Sequence, residues 1–181
     1  MIEAEIRSFV TKERFAQLYA LLLAEGEHMS SDQQETHYLD APQDLRIQQN
    51  NFFAKIVFKA GAVHDEAREE VEVKVPREEF ANLQTLFQGL QYGVRIKWFR
   101  TRHTFKWQGI DVMLDYTKGY GYIIELEKLC LPEELDAALV ELKQKLLSLD
   151  VPLTERAVFE EKFRDYQANW QALVAADSTT I

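Results

Sequence analysis

The sequence predicts an α+β protein, an eight-stranded antiparallel β-barrel forming a tunnel with helices packed on the outside. Three observations lead to this class. Segments of strand length alternate charged with apolar residues: 3–7 read Glu-Ala-Glu-Ile-Arg, 55–59 Lys-Ile-Val-Phe-Lys and 70–74 Glu-Val-Glu-Val-Lys. Residues two apart in a strand share a side, so each segment has one ionised face and one mostly apolar face. The segments are mostly joined by short turns, which connect antiparallel neighbours. Four further segments carry apolar residues at helical spacing. Eight antiparallel strands can close around a space for a small ligand, with helices covering the outer apolar faces.

Along the chain, residues 2–10 read as a strand. Phe15, Leu18, Tyr19, Leu22 and Leu23 mark a helix over 12–25, stopped at Gly26. The polar stretch 27–34 reads as a loop. Strands follow at 35–40 and 45–49 around the turn Ala41-Pro42-Gln43-Asp44, and Asn50-Asn51 turns the chain into strand 52–59. Gly61 opens a charged loop, and strand 67–75 ends at Pro76, which is placed to open a helix carrying Phe80, Leu83, Leu86, Phe87 and Leu90. Strands 94–107 and 110–116 flank the tight turn Gln108-Gly109. Gly119 and Gly121 bracket a turn into strand 122–129. Helices 132–149 and 154–174 close the chain. One domain over 1–175 is expected, with 176–181 as a fraying tail.

The bulk composition narrows the function classes. The chain has 181 residues, enough for one domain with a real core, and a net charge of −9. An acidic chain does not favour a nucleic-acid partner, but a buried basic cluster within it would still hold a small anion. Cys130 is the single cysteine, which excludes an internal disulfide and fits a reducing compartment. The opening residues lack the apolar run of a signal peptide, and no stretch reaches transmembrane length. The expectation is a cytoplasmic protein without a membrane partner, as a monomer or homodimer.

Two sets of charges carry candidate chemistry. Glu3 with Glu5, and Glu125 with Glu127, are same-face pairs. With Asp115 they offer the carboxylate oxygens that Mg²⁺ or Mn²⁺ prefers. Glu70 and Glu72 are further candidates. One such pair alone would read as a solvated face; two pairs opposite basic strands read as a site. The basic set is Arg7, Arg46, Lys55, Lys59, Lys74, Arg100, Arg102 and Lys106. Arginine forks grip phosphate oxygens bidentately and lysines act as point charges. Burying these cations without a ligand would be costly unless each were paired. The four histidines lack metal-ligand spacing, and Trp98, Trp107, Trp170 and Cys130 read as core.

In order and spacing, these residues resemble the CYTH superfamily, the triphosphate tunnel metalloenzymes. That superfamily includes class IV adenylyl cyclases, thiamine triphosphatases and inorganic triphosphatases. The resemblance rests on Glu3-Ala4-Glu5-Ile6-Arg7, Tyr38-Leu39-Asp40-Ala41-Pro42, Leu45-Arg46, Val57-Phe58-Lys59 and Arg68-Glu69-Glu70-Val71-Glu72. Arg100-Thr101-Arg102, Asp115, Gly119-Tyr120-Gly121 and Glu125-Leu126-Glu127 complete it. It implies an eight-stranded tunnel that binds a triphosphate through its basic residues and one or two divalent metals through the acidic residues of the first and last strands. On this chain the implied metal ligands are Glu3, Glu5, Asp115, Glu125 and Glu127. The phosphate ligands are Arg46, Lys59, Lys74, Arg100 and Arg102, and the catalytic candidates are Glu5, Arg7 and Glu127. The implied activity is Mg²⁺- or Mn²⁺-dependent hydrolysis of inorganic, thiamine or nucleoside triphosphate. An adenylyl cyclase and a non-catalytic polyphosphate or nucleotide binder are the alternatives. The chain departs from the pattern at Arg7, where lysine is usual, and at Gln48, where a second arginine often follows Arg46. It also has Lys162-Phe163 nearest to where Ser-Tyr is common.

Overall fold

A computed structural model of the chain describes residues 2–60 and 67–179. In chain order the elements are β1 (Ile2–Val10), α1 (Lys12–Glu25), β2 (Glu27–Leu39), β3 (Asp44–Gln49), β4 (Phe53–Lys59), β5 (Ala67–Arg68) and β6 (Glu70–Pro76). A 3₁₀ turn then leads into α2 (Phe80–Gly89). β7 (Val94–Trp107), β8 (Ile110–Thr117) and β9 (Gly121–Cys130) follow, and a second 3₁₀ turn precedes α3 (Leu135–Ser148) and α4 (Arg156–Ala176). The loop expected after Gly61, over 61–66, lies outside the described residues, as do His64 and the side chain of Arg68.

All strand pairings are antiparallel, in the order β5-β1-β9-β8-β7-β2-β3-β4-β6. The expected strand at 67–75 is divided at Glu69, which makes nine strands instead of eight. β5 pairs with β1, while β6 pairs with β4. The two edges of the ladder are therefore consecutive in the chain, with Glu69 between them.

The strand parity read from the sequence holds. On β1, Ala4, Ile6 and Ser8 are buried on one face, while Glu3, Glu5 and Arg7 line a cavity on the other. The apolar faces of β1, β7, β8 and β9 meet α1 and α3 in the main core, around Leu18, Leu22, Phe105, Val112, Leu114, Ile124, Leu126, Leu142 and Leu146. Cys130 is part of that core. α2 covers β3 and β4 with Phe80, Leu83 and Phe87 on Leu39, Ile47 and Ala54. The Gln108-Gly109 turn joins β7 to β8 with both residues at positive φ, 48° and 80°, the geometry of a two-residue hairpin.

Two expectations are corrected. The stretch 27–34 is strand, not loop. β2 pairs with β7 from Glu27↔Lys106 to Leu39↔Val94, with irregular register between His28 and Ser30. Met29 is the one apolar residue of this segment, so it has no alternation to signal a strand; backbone pairing with β7 imposes it. The second correction concerns α4, which does not only cover the outside. Phe159 and Phe163 reach the cavity and join Tyr38, Trp98, Tyr120 and Tyr166 in an aromatic cluster, so that end of the interior is apolar. α4 is fixed before and after its span. Ser8 Oγ donates to Pro152 O (3.0 Å) and accepts from Thr154 N (2.8 Å). Beyond the helix, Asp177 Oδ2 accepts from Tyr116 Oη (2.6 Å) and Gly119 N (2.8 Å). Gly119 has φ of 73°, and a Cβ there would lie 2.8 Å from the Leu173 carbonyl carbon, so only glycine allows α4 to sit this close.

Candidate active site

A cavity of about 250 Å³ opens within the sheet. Among the described residues seven carboxylates and six cationic side chains line it, and these charges nearly cancel. The strands β1–β4 and β6–β9 all supply lining residues. The cross-strand registers Glu5↔Glu127, Arg7↔Glu125 and Arg102↔Asp115 bring the charged faces of β1, β9, β8 and β7 together.

On one wall, Glu5, Glu125 and Glu127 converge. One carboxylate oxygen from each lies within 4.8 Å of the others, a grouping able to hold a metal ion. Glu3 lines the same cavity but is not in this group. Burial raises the Glu5 carboxyl, and Glu125 adds to the rise against the pull of Arg7, Lys59 and Arg102. Burial likewise pushes Glu127 up, and Glu125, Glu5 and Glu3 reinforce it, to about 9. Glu125 moves the other way. Burial opposes its charge, but Arg102, Arg7, Arg100 and Lys59 hold it down at about 2. Crowding of carboxylates separates their proton affinities, and a cation among them would relieve the repulsion. An all-oxygen set of this kind matches a hard divalent ion, so the residues present fit the metal that the sequence implies.

The cationic wall is ordered by its own acceptors. Arg102 donates from Nε to Asp115 Oδ1 (2.8 Å), and from Nη2 to Asp115 Oδ2 (2.6 Å) and Glu125 Oε1 (2.9 Å). Arg100 shares Asp115 through Nη1 (3.0 Å) and points Nε and Nη2 at Gln34 Oε1 (2.9 and 2.6 Å). Burial, then the neighbouring Arg102 charge, lowers Arg100 from the usual arginine value. Arg46 forks onto Asp44 (2.7 and 2.5 Å) and stacks over Tyr38, 4.3 Å from the ring centre. Lys55 pairs with Glu72 and Lys59 with Glu70. Arg7 Nε lies 3.4 Å from Glu5 Oε1.

The structure thus brings most of the expected residues to one place and leaves out others. Glu3, Glu5, Arg7, Arg46, Lys55, Lys59, Glu70, Glu72, Arg100, Arg102, Asp115, Glu125 and Glu127 all line the cavity. Lys74 shares the parity of Glu70 and Glu72 but is not in the lining; its ammonium lies 4.9 Å from the Phe53 ring centre. Lys106 is at the surface, on Asp111 at 2.7 Å. Asp115 is engaged by both arginines and is not in the glutamate group. Gln48, which stands where a second arginine is often found, donates Nε2 to Gln34 Oε1 (2.9 Å). Gln34, Phe163 and Thr117 are among the residues that were not foreseen. Gln34 was hidden in the stretch read as loop. Phe163 was read as part of the last helix, in the Lys162-Phe163 pair nearest to where Ser-Tyr is common, and not as a cavity residue. Thr117 lines the cavity fully buried, and its Oγ1 has no hydrogen-bond partner among the described residues. Its place two residues after Asp115, on the same face, was the signal available.

No curated protein matches the chain. Among solved structures, a protein from Pyrococcus horikoshii OT3 superposes with a TM-score of 0.73 at 26% identity, covering 85% of this chain and 93% of that one. A proposed adenylate cyclase from Vibrio parahaemolyticus gives 0.70 at 16% identity, covering 91% and 98%. A proposed adenylyl cyclase from Hippeastrum, described as having a dominant triphosphatase activity, gives 0.63 at 19% identity, covering 88% and 95%. The last two likenesses show the fold alone. The CYTH domain model matches residues 1–157, the span holding every strand of the sheet and every charged residue of the cavity. By that match the chain belongs to the CYTH family.

Proposed function

We propose that this protein is a divalent-metal-dependent triphosphatase. The observation that carries the reading is one cavity in which a convergent glutamate group faces an ordered set of arginines and lysines. The sheet is read as a closed tunnel, because its two edges, β5 and β6, are one run of chain around Glu69. Glu5, Glu125 and Glu127 would hold Mg²⁺ or Mn²⁺. When bound, the ion supplies positive charge against phosphate oxygens, which a cavity of nearly balanced charge otherwise lacks.

The chain's own residues do the rest. Arg46, Lys59, Arg100 and Arg102 grip the phosphate oxygens and set the terminal phosphorus for in-line attack by water. An oxygen–phosphorus bond forms to the water, and the bridging oxygen–phosphorus bond breaks. The water's proton passes to a carboxylate oxygen of Glu5 or Glu127. The products are orthophosphate and the shortened chain. Asp115 keeps the two arginine forks side by side. The wall of Trp98, Tyr120, Phe159 and Phe163 suits an organic group on the triphosphate and keeps the adenylyl cyclase reading as the second choice.

A phosphate-release panel over inorganic triphosphate, thiamine triphosphate and ATP, with Mg²⁺ or Mn²⁺, tests the reading. Cyclic AMP and binding are measured in parallel. Metal-dependent release from any of the three supports a triphosphatase. Cyclic AMP from ATP at a higher rate than phosphate moves the protein to the cyclases. Tight binding with release at background across the panel makes it a binding module.

Thr117 gives a separate prediction. Thr117→Val removes a buried hydroxyl that has no partner among the described residues, so the ligand-free variant is expected to melt at or slightly above the parent, by ~1 kcal/mol of stability. Affinity for inorganic triphosphate should fall about tenfold if that hydroxyl binds ligand. Calorimetry with both proteins checks it; unchanged affinity removes Thr117 from the ligand contacts.

A further inference from the structure

The three arginines of the cationic wall are held in two different ways. Arg46 donates to both oxygens of Asp44. Arg102 takes both oxygens of Asp115 and one of Glu125. Among the described residues Arg100 donates to one carboxylate oxygen, the Asp115 oxygen that Arg102 also uses, and its other support is a neutral amide. Buried guanidinium groups normally sit on carboxylates, which satisfy both their donors and their charge. Gln34 satisfies donors without neutralising charge.

We propose that Gln34 is a positioning residue that fixes Arg100 while leaving its positive charge available to a phosphate group in the cavity. The proposal rests on the triphosphate reading above. Gln34 stands opposite Arg100 in the β2–β7 ladder. Its Oε1 accepts three hydrogen bonds, two from Arg100 and one from Gln48. Its amide nitrogen donates to Asp32 Oδ2 (3.1 Å), and Asp32 Oδ1 accepts from Asn51 N (3.0 Å). This chain sets the amide's orientation. A flipped amide would turn its NH₂ toward three donors and its oxygen toward a carboxylate. Arg100 is thus braced from the backbone of the β3–β4 turn through two side chains. A guanidinium has five N–H donors. Gln34 and Asp115 use three of those of Arg100, so among the described residues one N–H on each terminal nitrogen is left for a ligand.

Gln48 belongs to the same brace, which gives a physical role to a departure from the family pattern. Its side chain secures Gln34 and brings no second positive charge.

The test exchanges donor and acceptor between two positions. The double variant Gln34→Glu/Asp32→Asn keeps every hydrogen bond of the chain. The new carboxylate at 34 still accepts from Arg100 and Gln48, and the new amide at 32 donates to it while its oxygen still accepts from Asn51. The net charge of the protein is unchanged, and one negative charge has moved onto Arg100. Inorganic triphosphate is titrated calorimetrically into parent and variant, with and without Mg²⁺, at two salt concentrations. The expected result is a melting temperature equal to or above the parent's, with affinity at least tenfold weaker and a shallower salt dependence. Gln34→Ala, which loosens Arg100 but leaves its charge, should weaken binding less and keep the parental salt dependence. Parental affinity in a folded double variant overturns the proposal and leaves the triphosphate reading standing. A parent protein that binds no triphosphate overturns both.

Discussion

Arg102→Ala is expected to lower phosphate release by about 10²–10³-fold and to destabilise the protein by ~3–5 kcal/mol. Both effects follow from one side chain. Arg102 is the shared partner of Asp115 and Glu125, and both carboxylates are buried. Burial alone would pull its proton affinity down, yet Asp115 and Glu125 raise it well above the ordinary arginine value. Removing it leaves Glu125 without its main cation and takes from Asp115 the fork that binds both its oxygens, with Arg100 still on Oδ2. Charge neutralisation at the phosphoryl group is lost at the same time. Arg102→Lys separates the two effects, because it keeps a charge but loses the fork that spans both oxygens of Asp115. It should recover much of the stability and little of the rate. Release assays and thermal melts on the three proteins decide the matter. An alanine variant that turns over triphosphate at the parental rate removes Arg102 from the chemistry.

Glu127→Gln is expected to weaken Mg²⁺ or Mn²⁺ binding tenfold or more, and to flatten its dependence on pH. In the metal-free protein Glu127 is raised to about 9, first by burial and then by Glu125, with Glu5 and Glu3 adding. A carboxyl whose folded value lies above its unfolded one binds more protons in the folded state. Between about 4.5 and 9 this group therefore makes the metal-free protein less stable as pH rises. The metal must displace that proton, so affinity climbs with pH through the same window and protons are released on binding. Glu125, held at about 2 by the arginines against its burial, is already ionised and adds no such slope near neutrality. Titrating metal into parent and variant at pH 6, 7.5 and 9, in buffers of different ionisation heat, reads both quantities. A parent with the same affinity and proton release at all three values shows that Glu127 does not meet the metal. The Glu127→Gln protein should also lose less stability than the parent on going from pH 6 to 9 without metal.

Much of this site was legible before any fold was known. Glu3, Glu5 and Arg7 share one face of β1 because strand geometry alone places residues two apart together. The same rule groups Lys55 with Lys59, Glu70 with Glu72, Arg100 with Arg102, and Glu125 with Glu127. The apolar partners between them, such as Ala4, Ile6, Ile124 and Leu126, face the helices and decide which side points inward. Helix ends were equally local: the Thr11 hydroxyl accepts from Arg14 N (3.1 Å) to open α1, and Gly26 closes it.

What parity does not carry is distance along a strand and partnership across the cavity. Lys74 has the right parity but sits one step too far, over Phe53. Asp115 and Glu127 have the same chemistry in the sequence. Only the β7–β8 register gives Asp115 to two arginines, while the β1–β9 register leaves Glu127 among carboxylates. β2 between 27 and 34 has no apolar alternation, so its strand state and the role of Gln34 come from pairing with β7. The aromatic wall from α4 depends on contacts more than a hundred residues apart, Ser8 to Thr154 among them. Local geometry in the sequence determines which side chains share a face. Which charges meet is decided by register, burial and long-range anchoring, because electrostatic partnership depends on distances that only the assembled sheet sets.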